Sequence, residues 1–511
     1  MSLIKKLASE TAIYGLSSIL GRSINFLLVW LHSRVFMDAE YGISQKLYAV
    51  VGIAMVFFTF RMETAFFRFG TDPMARERSF STAFTALLVA TFVWLTLGFI
   101  FLQPLSAWLL LPDRTYLVAM LLAIIGFDVL AEIPFARLRL EKRPKLFAGI
   151  KLLGIMVNVV LNVVFLVWWR SFPNFKLFGQ TFNTEFGVGY MFLANLLASA
   201  IVLLFLFFFL NKKNKSDKVL DENQTFDNPT KAPSVYRFDF DKTLFKQMAI
   251  YSTPLVIVGM AGVADETLDR ILMERLLSGT LEDNQATLGV YSACYKLTVI
   301  LALFTQAFRY AAEPFFFANA KNKDAPELYG QVAKFFTLIS ALGMLFVLLY
   351  LDAFKYFLGE DFRGALNAVP VVLLATLFLG VYYNFSTWYR LTDRTIWGVY
   401  IALIGLAITV VFNFLWIPTF GYMGAAYTKL LCYGAMMVVG WYFGQRYFPV
   451  NYPLGRMVLY VGLSLGLWFL AERLAESLGY SILVKMVVNS FLLLGYIGLA
   501  WKMERKNINS I

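Results

Sequence analysis

Runs of about twenty apolar residues, separated by short polar stretches, recur along the whole chain and match helices that cross a hydrocarbon core. The pattern predicts about fourteen spans, near 12–35, 43–60, 80–102, 115–135, 146–168, 187–210, 246–272, 286–308, 332–351, 366–387, 396–417, 421–443, 455–473 and 481–501. The connections are short apart from one. Residues 211–245, beginning "NKKNKSDKVLDENQ", carry both signs of charge and too few apolar groups to bury a core. They leave six spans before them and eight after.

Composition narrows this picture. Of 511 residues, 59% are hydrophobic and only 15% charged, too little charge for the surface of a soluble protein of this length. In a soluble chain the net charge of +12 would suggest nucleic acid. Here it has a simpler origin, because basic residues collect in cytoplasmic loops. With the N-terminus inside, alternate connections place about 30 Lys and Arg inside and about 7 outside. "RLRLEKRPK" (137–145) is among the inside loops. Both termini are therefore expected in the cytoplasm, and no nucleic-acid partner is expected. Cys294 and Cys432 lie in apolar segments, and the single histidine, His32, sits near the end of the first span. Neither a disulfide framework nor a metal site is expected from them. The opening "MSLIKKLASE" lacks the pattern of a removable signal peptide.

An internal repeat sets the architecture. "AIYG" (12–15) and "AIYS" (249–252) open spans one and seven, and "FGVGYM" and "FGYMGAA" open spans six and twelve. Lys46 precedes Glu63 by the same interval as Lys296 precedes Glu313. An even number of spans in the first half gives both halves one orientation, so the repeat is parallel, about an axis along the membrane normal. The expected fold is all-α and polytopic. It comprises an N-terminal six-helix lobe (1–210), a cytoplasmic basic and polar linker (211–245), a C-terminal six-helix lobe (246–445), and two additional helices with a short cytoplasmic tail (446–511).

Several segments carry a resemblance: "DRILMERLLSG" (269–279), "LGVYSACYKL" (288–297), "EPFFF" (313–317) and "GYMGAAYTKLL" (421–431). Together they resemble the polysaccharide-transporter branch of the multidrug/oligosaccharidyl-lipid/polysaccharide exporter superfamily. That branch includes Wzx-type O-antigen flippases and relatives of the lipid II flippase. The resemblance implies a MATE-like fold in the bacterial cytoplasmic (inner) membrane. It also implies movement of an undecaprenyl-diphosphate-linked oligosaccharide from the cytoplasmic to the periplasmic leaflet by alternating access. Such transport serves synthesis of O-antigen, capsule or exopolysaccharide. No covalent chemistry and no cofactor are implied, only coupling to protons, sodium or the membrane potential. Membrane lipids, with polymerase and chain-length proteins of the same pathway, would be further partners. Two alternatives stay open. An ion-coupled multidrug exporter of the same superfamily would favour an acidic cavity. A polysaccharide polymerase or ligase would need a large outer loop with catalytic groups, whereas the longest, 169–186, has Glu185 as its only acid.

A diphosphate in a membrane cavity needs cations, because a desolvated anion is costly unless paired. Arg22, near mid-depth of the first span, is the foremost substrate-binding candidate, with Asn25 one turn further along. An arginine in the first span of a cationic cavity is also what the resemblance implies. Lys46 and Lys296 lie at matching places just inside the outer ends of spans two and eight, and Lys429 about a third of the way down span twelve. These five form the expected cationic substrate site. Asp265, Glu266, Asp269 and Arg270 arrive within six positions towards the outer end of span seven. Asp265 and Asp269 share a helix face, and Glu266 can support Arg270 at i, i+4. That spacing suggests a gate or ion-coupling element, with Glu63 and Glu313 as gate residues at inner helix ends. Asp128 and Glu132 are expected to pair with the neighbouring Arg137 and Arg139. Lys151 and Lys485 receive no role.

Overall fold

The structure, a computed structural model, describes residues 20–508 apart from 22, 25, 173, 177, 178, 211–239, 321, 323 and 480. Of the expected site residues, Arg22 and Asn25 lie outside the described residues. The chain is nearly all helical, with no strand among the described residues. In chain order the first helices are α1 (Phe26–Val35), α2 (Asp38–Thr59), α3 (Met62–Phe69), α4 (Pro73–Ile100), α5 (Thr115–Leu140), α6 (Pro144–Val163) and α7 (Gly189–Leu210). Then come α8 (Lys242–Leu276), α9 (Leu281–Lys296), α10 (Val299–Asn319), α11 (Ala325–Leu349) and α12 (Val369–Phe385). The last four are α13 (Ile396–Phe420), α14 (Tyr422–Tyr447), α15 (Leu454–Leu478) and α16 (Ile482–Ile508).

Among the described residues, eleven helices are long and apolar enough to cross a membrane, or twelve if α9 and α10, bent by 51°, make one span. The expected fourteen are not reached, for two reasons. The first span lies largely outside the described residues, leaving only the short α1. Helix α14 has 26 residues, enough to cross, but its tyrosines, glycines and Lys429 lower its hydropathy.

Local chemistry places the breaks. At the start of α9 the Thr280 side chain accepts the Asp283 backbone N–H, and the Asp283 carboxylate accepts the Thr280 N–H, a reciprocal cap. Gly421, at φ +61°, turns the chain between α13 and α14, where a side chain would be strained. Phe60 and Arg61 have φ of 49° and 52°, an unfavourable pair for bulky residues, and separate α2 from α3. The Ser252 hydroxyl donates to the Arg61 carbonyl at 3.4 Å. At Gly259 the missing side chain makes room for the Arg61 guanidinium, since an added Cβ would lie 2.7 Å from its Nε.

The helices gather into two compact units. One holds the described residues up to 24 together with 50–260; the other holds 26–49 with 261 onwards. In the first, α5, α6 and α7 pack together around Phe135, Phe147 and Leu206. Here one expectation is corrected. Arg137 pairs with Glu77 at 2.5 Å and Glu141 at 2.6 Å, and Arg139 lies over the Phe67 ring at 4.6 Å. Asp128 instead bonds the Ser199 hydroxyl. The reason is reach: both arginines sit in the last turn of α5, beside acids of α4 and of the α5–α6 turn, not beside acids one or two turns back.

In the second unit the core centres on Met344, Leu345, Leu373, Leu377 and Tyr460. Helices α15 and α16 are tied to it by polar contacts. Glu504, 1% exposed, receives Lys334 and Tyr460, and Arg456 at 2.9 Å. The Ser464 hydroxyl donates to the Ala341 carbonyl at 2.9 Å. Lys485 bridges Asp352 at 2.7 Å and Glu472 at 3.0 Å. The opposite faces of α15 and α16 expose Val458, Phe469, Leu483 and Phe491, as a lipid-facing surface requires.

Candidate functional site

Helix α8 carries the acidic stretch, and the second unit surrounds it with cations from two other helices. Lys429 of α14 is 3% exposed and lies 3.4 Å from the Asp269 carboxylate. Its ammonium also donates to the carbonyls of Glu266 at 2.9 Å and Asp265 at 3.3 Å, with the Tyr295 ring 5.2 Å away. Asp269 further accepts the Tyr291 hydroxyl at 3.2 Å and the Arg270 backbone N–H at 2.9 Å. The Arg270 guanidinium lies over Tyr295 at 4.8 Å. Lys296, half-buried at the end of α9, has Arg270 and Glu266 as charged neighbours.

Three acids and three cations therefore meet around two tyrosines. Buried charge is tolerated only when paired and hydrogen-bonded, and within this set Asp269 and Lys429 meet that condition from inside the protein. The buried Arg270 Nε has no hydrogen-bond partner, and neither has Oδ1 of Asp265, which is 5% exposed. The Asp265 carboxylate faces α13 at Gly405, where an added Cβ would lie 2.8 Å from Oδ2. A side chain at 405 would displace the carboxylate.

One turn beyond Arg270, Glu274 forms a second element. Lys46 of α2 and Glu274 form an ion pair, both buried, and Gln285 of α9 donates to the other carboxylate oxygen. Asn284 donates to the carbonyls of Glu274 at 3.1 Å and Leu277 at 2.9 Å. Next to this pair, α2 and α9 touch backbone to backbone: the Gln285 carbonyl takes the place of a side chain at Gly42, and the Asp38 carbonyl that at Gly289. Further along, the Ser33 hydroxyl accepts the Gly359 N–H at 3.0 Å. Arg34 donates to the carbonyls of Phe357 at 2.9 Å and Tyr356 at 2.8 Å. Phe26 stacks on Phe357 at 4.6 Å, and Tyr41 meets Phe362 edge-on at 5.4 Å. A hairpin from the start of the chain is thereby locked onto elements from its second half.

Of the expected site residues, the structure brings together Asp265, Glu266, Asp269, Arg270, Lys296 and Lys429. Lys46 joins Glu274 instead. Glu63, in α3 of the first unit, is 8% exposed and pairs with Arg61 at 3.5 Å. Glu313 lies in α10, and its side chain is outside the described residues. Sequence reasoning passed over Glu274, Gln285, Tyr291 and Tyr295. The signal available was the helical register, which puts Glu274 one turn after Arg270.

A family model described as polysaccharide biosynthesis protein matches residues 7–319, more than half of the chain. The chain belongs to that family. A second model, MatE, matches residues 273–415. Among solved structures, the lipid II flippase MurJ in an inward closed conformation is similar at 12% identity and TM-score 0.69, covering 97% of this chain and 99% of that one. A multidrug resistance MATE transporter in an inward-facing conformation is similar at 14% identity and TM-score 0.63, covering 85% and 94%. A MATE in complex with MaL6 is similar at 14% identity and TM-score 0.57, covering 86% and 95%. Among curated proteins none matches the chain. The fold is thus that of MurJ and the MATE transporters, and the chain is a multi-pass membrane protein.

Proposed function

We propose that the chain is a flippase that moves undecaprenyl-diphosphate-linked oligosaccharide from the cytoplasmic to the periplasmic leaflet of the bacterial inner membrane. Its product serves O-antigen, capsule or exopolysaccharide synthesis. Both termini are cytoplasmic, with lobes at 1–210 and 246–445 joined by a cytoplasmic linker (211–245) and followed by two further helices. Arg22, Asn25, Lys46, Lys296 and Lys429 serve the diphosphate during the cycle. Asp265, Glu266, Asp269, Arg270, Glu63 and Glu313 serve gating and ion coupling.

The observation that carries this reading is the lock around Lys46, Glu274 and Ser33. Alternating access requires a contact between early and late parts of the chain that closes one side and can be broken. Buried ion pairs suit this task, since each lysine can exchange its carboxylate partner for a substrate phosphate. The MatE match over residues 273–415 favours a second reading, an ion-coupled multidrug exporter.

The test is a strain lacking this chain, complemented by a Phe26→Cys, Phe357→Cys variant, at the place where those two rings stack at 4.6 Å. Oxidation is expected to link the two positions and stop polymer export, with lipid-linked oligosaccharide accumulating in the inner leaflet until reductant is added. Full export by the linked protein would rule out a gate at this place. Normal export without the chain, together with raised drug accumulation, would favour the multidrug exporter.

A further inference from the structure

The first unit contains a cavity of about 500 Å3 between α5, α6 and α7. Asp128, Glu132, Lys151, Asn158, Asn195 and Ser199 line it. Five of these six are carboxylate, ammonium or amide side chains, drawn from three spans and aimed into one space. Ionisable groups at membrane depth are costly and in general face a water-filled or ligand-filled space. Lys151 is the cation that shares the lining with both acids, while Arg61, Glu63 and Arg139 lie within electrostatic range of Glu132.

Size and charge narrow what could fit. A bare metal ion needs a tight oxygen cage at about 2.3–2.6 Å. Among the described residues no group of three or more His, Cys, Asp or Glu could hold one. The volume falls within the roughly 300–1,000 Å3 typical of organic ligand sites. Two carboxylates against one ammonium repel a diphosphate. They suit a hydroxyl-rich, uncharged ring, whose O–H groups donate to carboxylate and amide oxygens and accept from Lys151 and the asparagine amides. Phe135, also in the lining, supplies an apolar wall for the C–H face of such a ring.

We propose that this cavity is a subsite for the sugar part of the lipid-linked oligosaccharide, an inference that rests on the flippase function proposed above. The lipid diphosphate and the sugars are then recognised by different sets of residues, cations for the one and acids and amides for the other. Asp128, Glu132 and Asn158 become determinants of which sugars are carried.

The test uses the full chain in lipid nanodiscs with two kinds of probe: undecaprenyl diphosphate, and the same lipid bearing N-acetylglucosamine, glucose or galactose. Wild type is expected to bind at least one sugar-bearing lipid about tenfold more tightly than the bare lipid, the scale of one charge-assisted hydrogen bond. Asp128→Ala with Glu132→Ala should abolish the preference and keep the affinity for bare lipid. Ala198→Phe, which fills the cavity from α7, should do the same and answers alone if the double variant fails to fold. Equal binding of all probes by wild type, or a preference intact in a folded variant, overturns the subsite and leaves the flippase reading standing. Binding of none of the probes by wild type overturns the flippase reading and the subsite with it. Intact sugar preference with loss of pH-gradient-driven transport would make the cavity a proton site and also overturn the proposal.

Discussion

Asp269 and Asp128 are both acids on membrane helices, yet their surroundings are opposite. Asp269 is enclosed by Lys429, Tyr291 and the Arg270 backbone, and the neighbouring Glu274 by Lys46, Gln285 and Asn284. Asp128 and Glu132 border a cavity of about 500 Å3 that they share with Lys151. In the first setting charge is neutralised by protein, and so acts as a structural latch. In the second the lining offers its charge to whatever enters. The same residue type thus reads as gate or as binding group according to who supplies its partner.

The largest effect expected is at the latch. Glu274→Ala removes the carboxylate that pairs with the buried Lys46 and should destabilise the purified protein by about 3–5 kcal/mol, read as a fall in thermal midpoint. Lys46→Met with Glu274→Leu should recover most of that loss, because an apolar pair carries no desolvation cost. If the double variant is as unstable as the single one, the latch is not an isolated pair.

Gly405→Val should cost about 1–3 kcal/mol by forcing Asp265 off α13. The measurement is again the thermal midpoint. A neutral result would mean that the carboxylate has room to move.

Cavity substitutions should behave differently. Glu132→Gln and Asp128→Asn are expected to change stability by no more than about 0.5 kcal/mol, since neither removes a protein partner from a closed ion pair. Large destabilisation in either would erase the contrast between the two regions.

The smallest effect lies at Asp352, outside the spans. Burial pushes its carboxyl up, but hydrogen bonds from Lys355 and Lys485 outweigh this and hold the pKa below its ordinary 3.8. A depressed pKa contributes stability that is complete above 3.8 and is lost as the pH falls through the folded value. Because Asp352 is partly exposed, that contribution is under about 1 kcal/mol. Asp352→Asn should flatten the thermal midpoint between pH 4 and pH 2 and leave it little changed at pH 7.

Much of this was legible in the chain itself. Apolar runs of membrane length, the polar stretch after residue 210 and the basic loops determine a helical membrane protein, because each rests on local composition and on the thickness of a bilayer. The spacing of Asp265, Glu266, Asp269 and Arg270 along one helix was equally plain, since helical register is a local property. What the sequence could not determine is which distant side chain answers each charge. Lys429 lies some 160 positions from Asp269, Lys46 more than 220 from Glu274, and Asp128 parts from the arginines beside it in sequence for a serine on another helix. Only tertiary structure decides such pairings. A buried charge is governed by the few groups within a few ångströms, and helix packing, not order along the chain, chooses those groups.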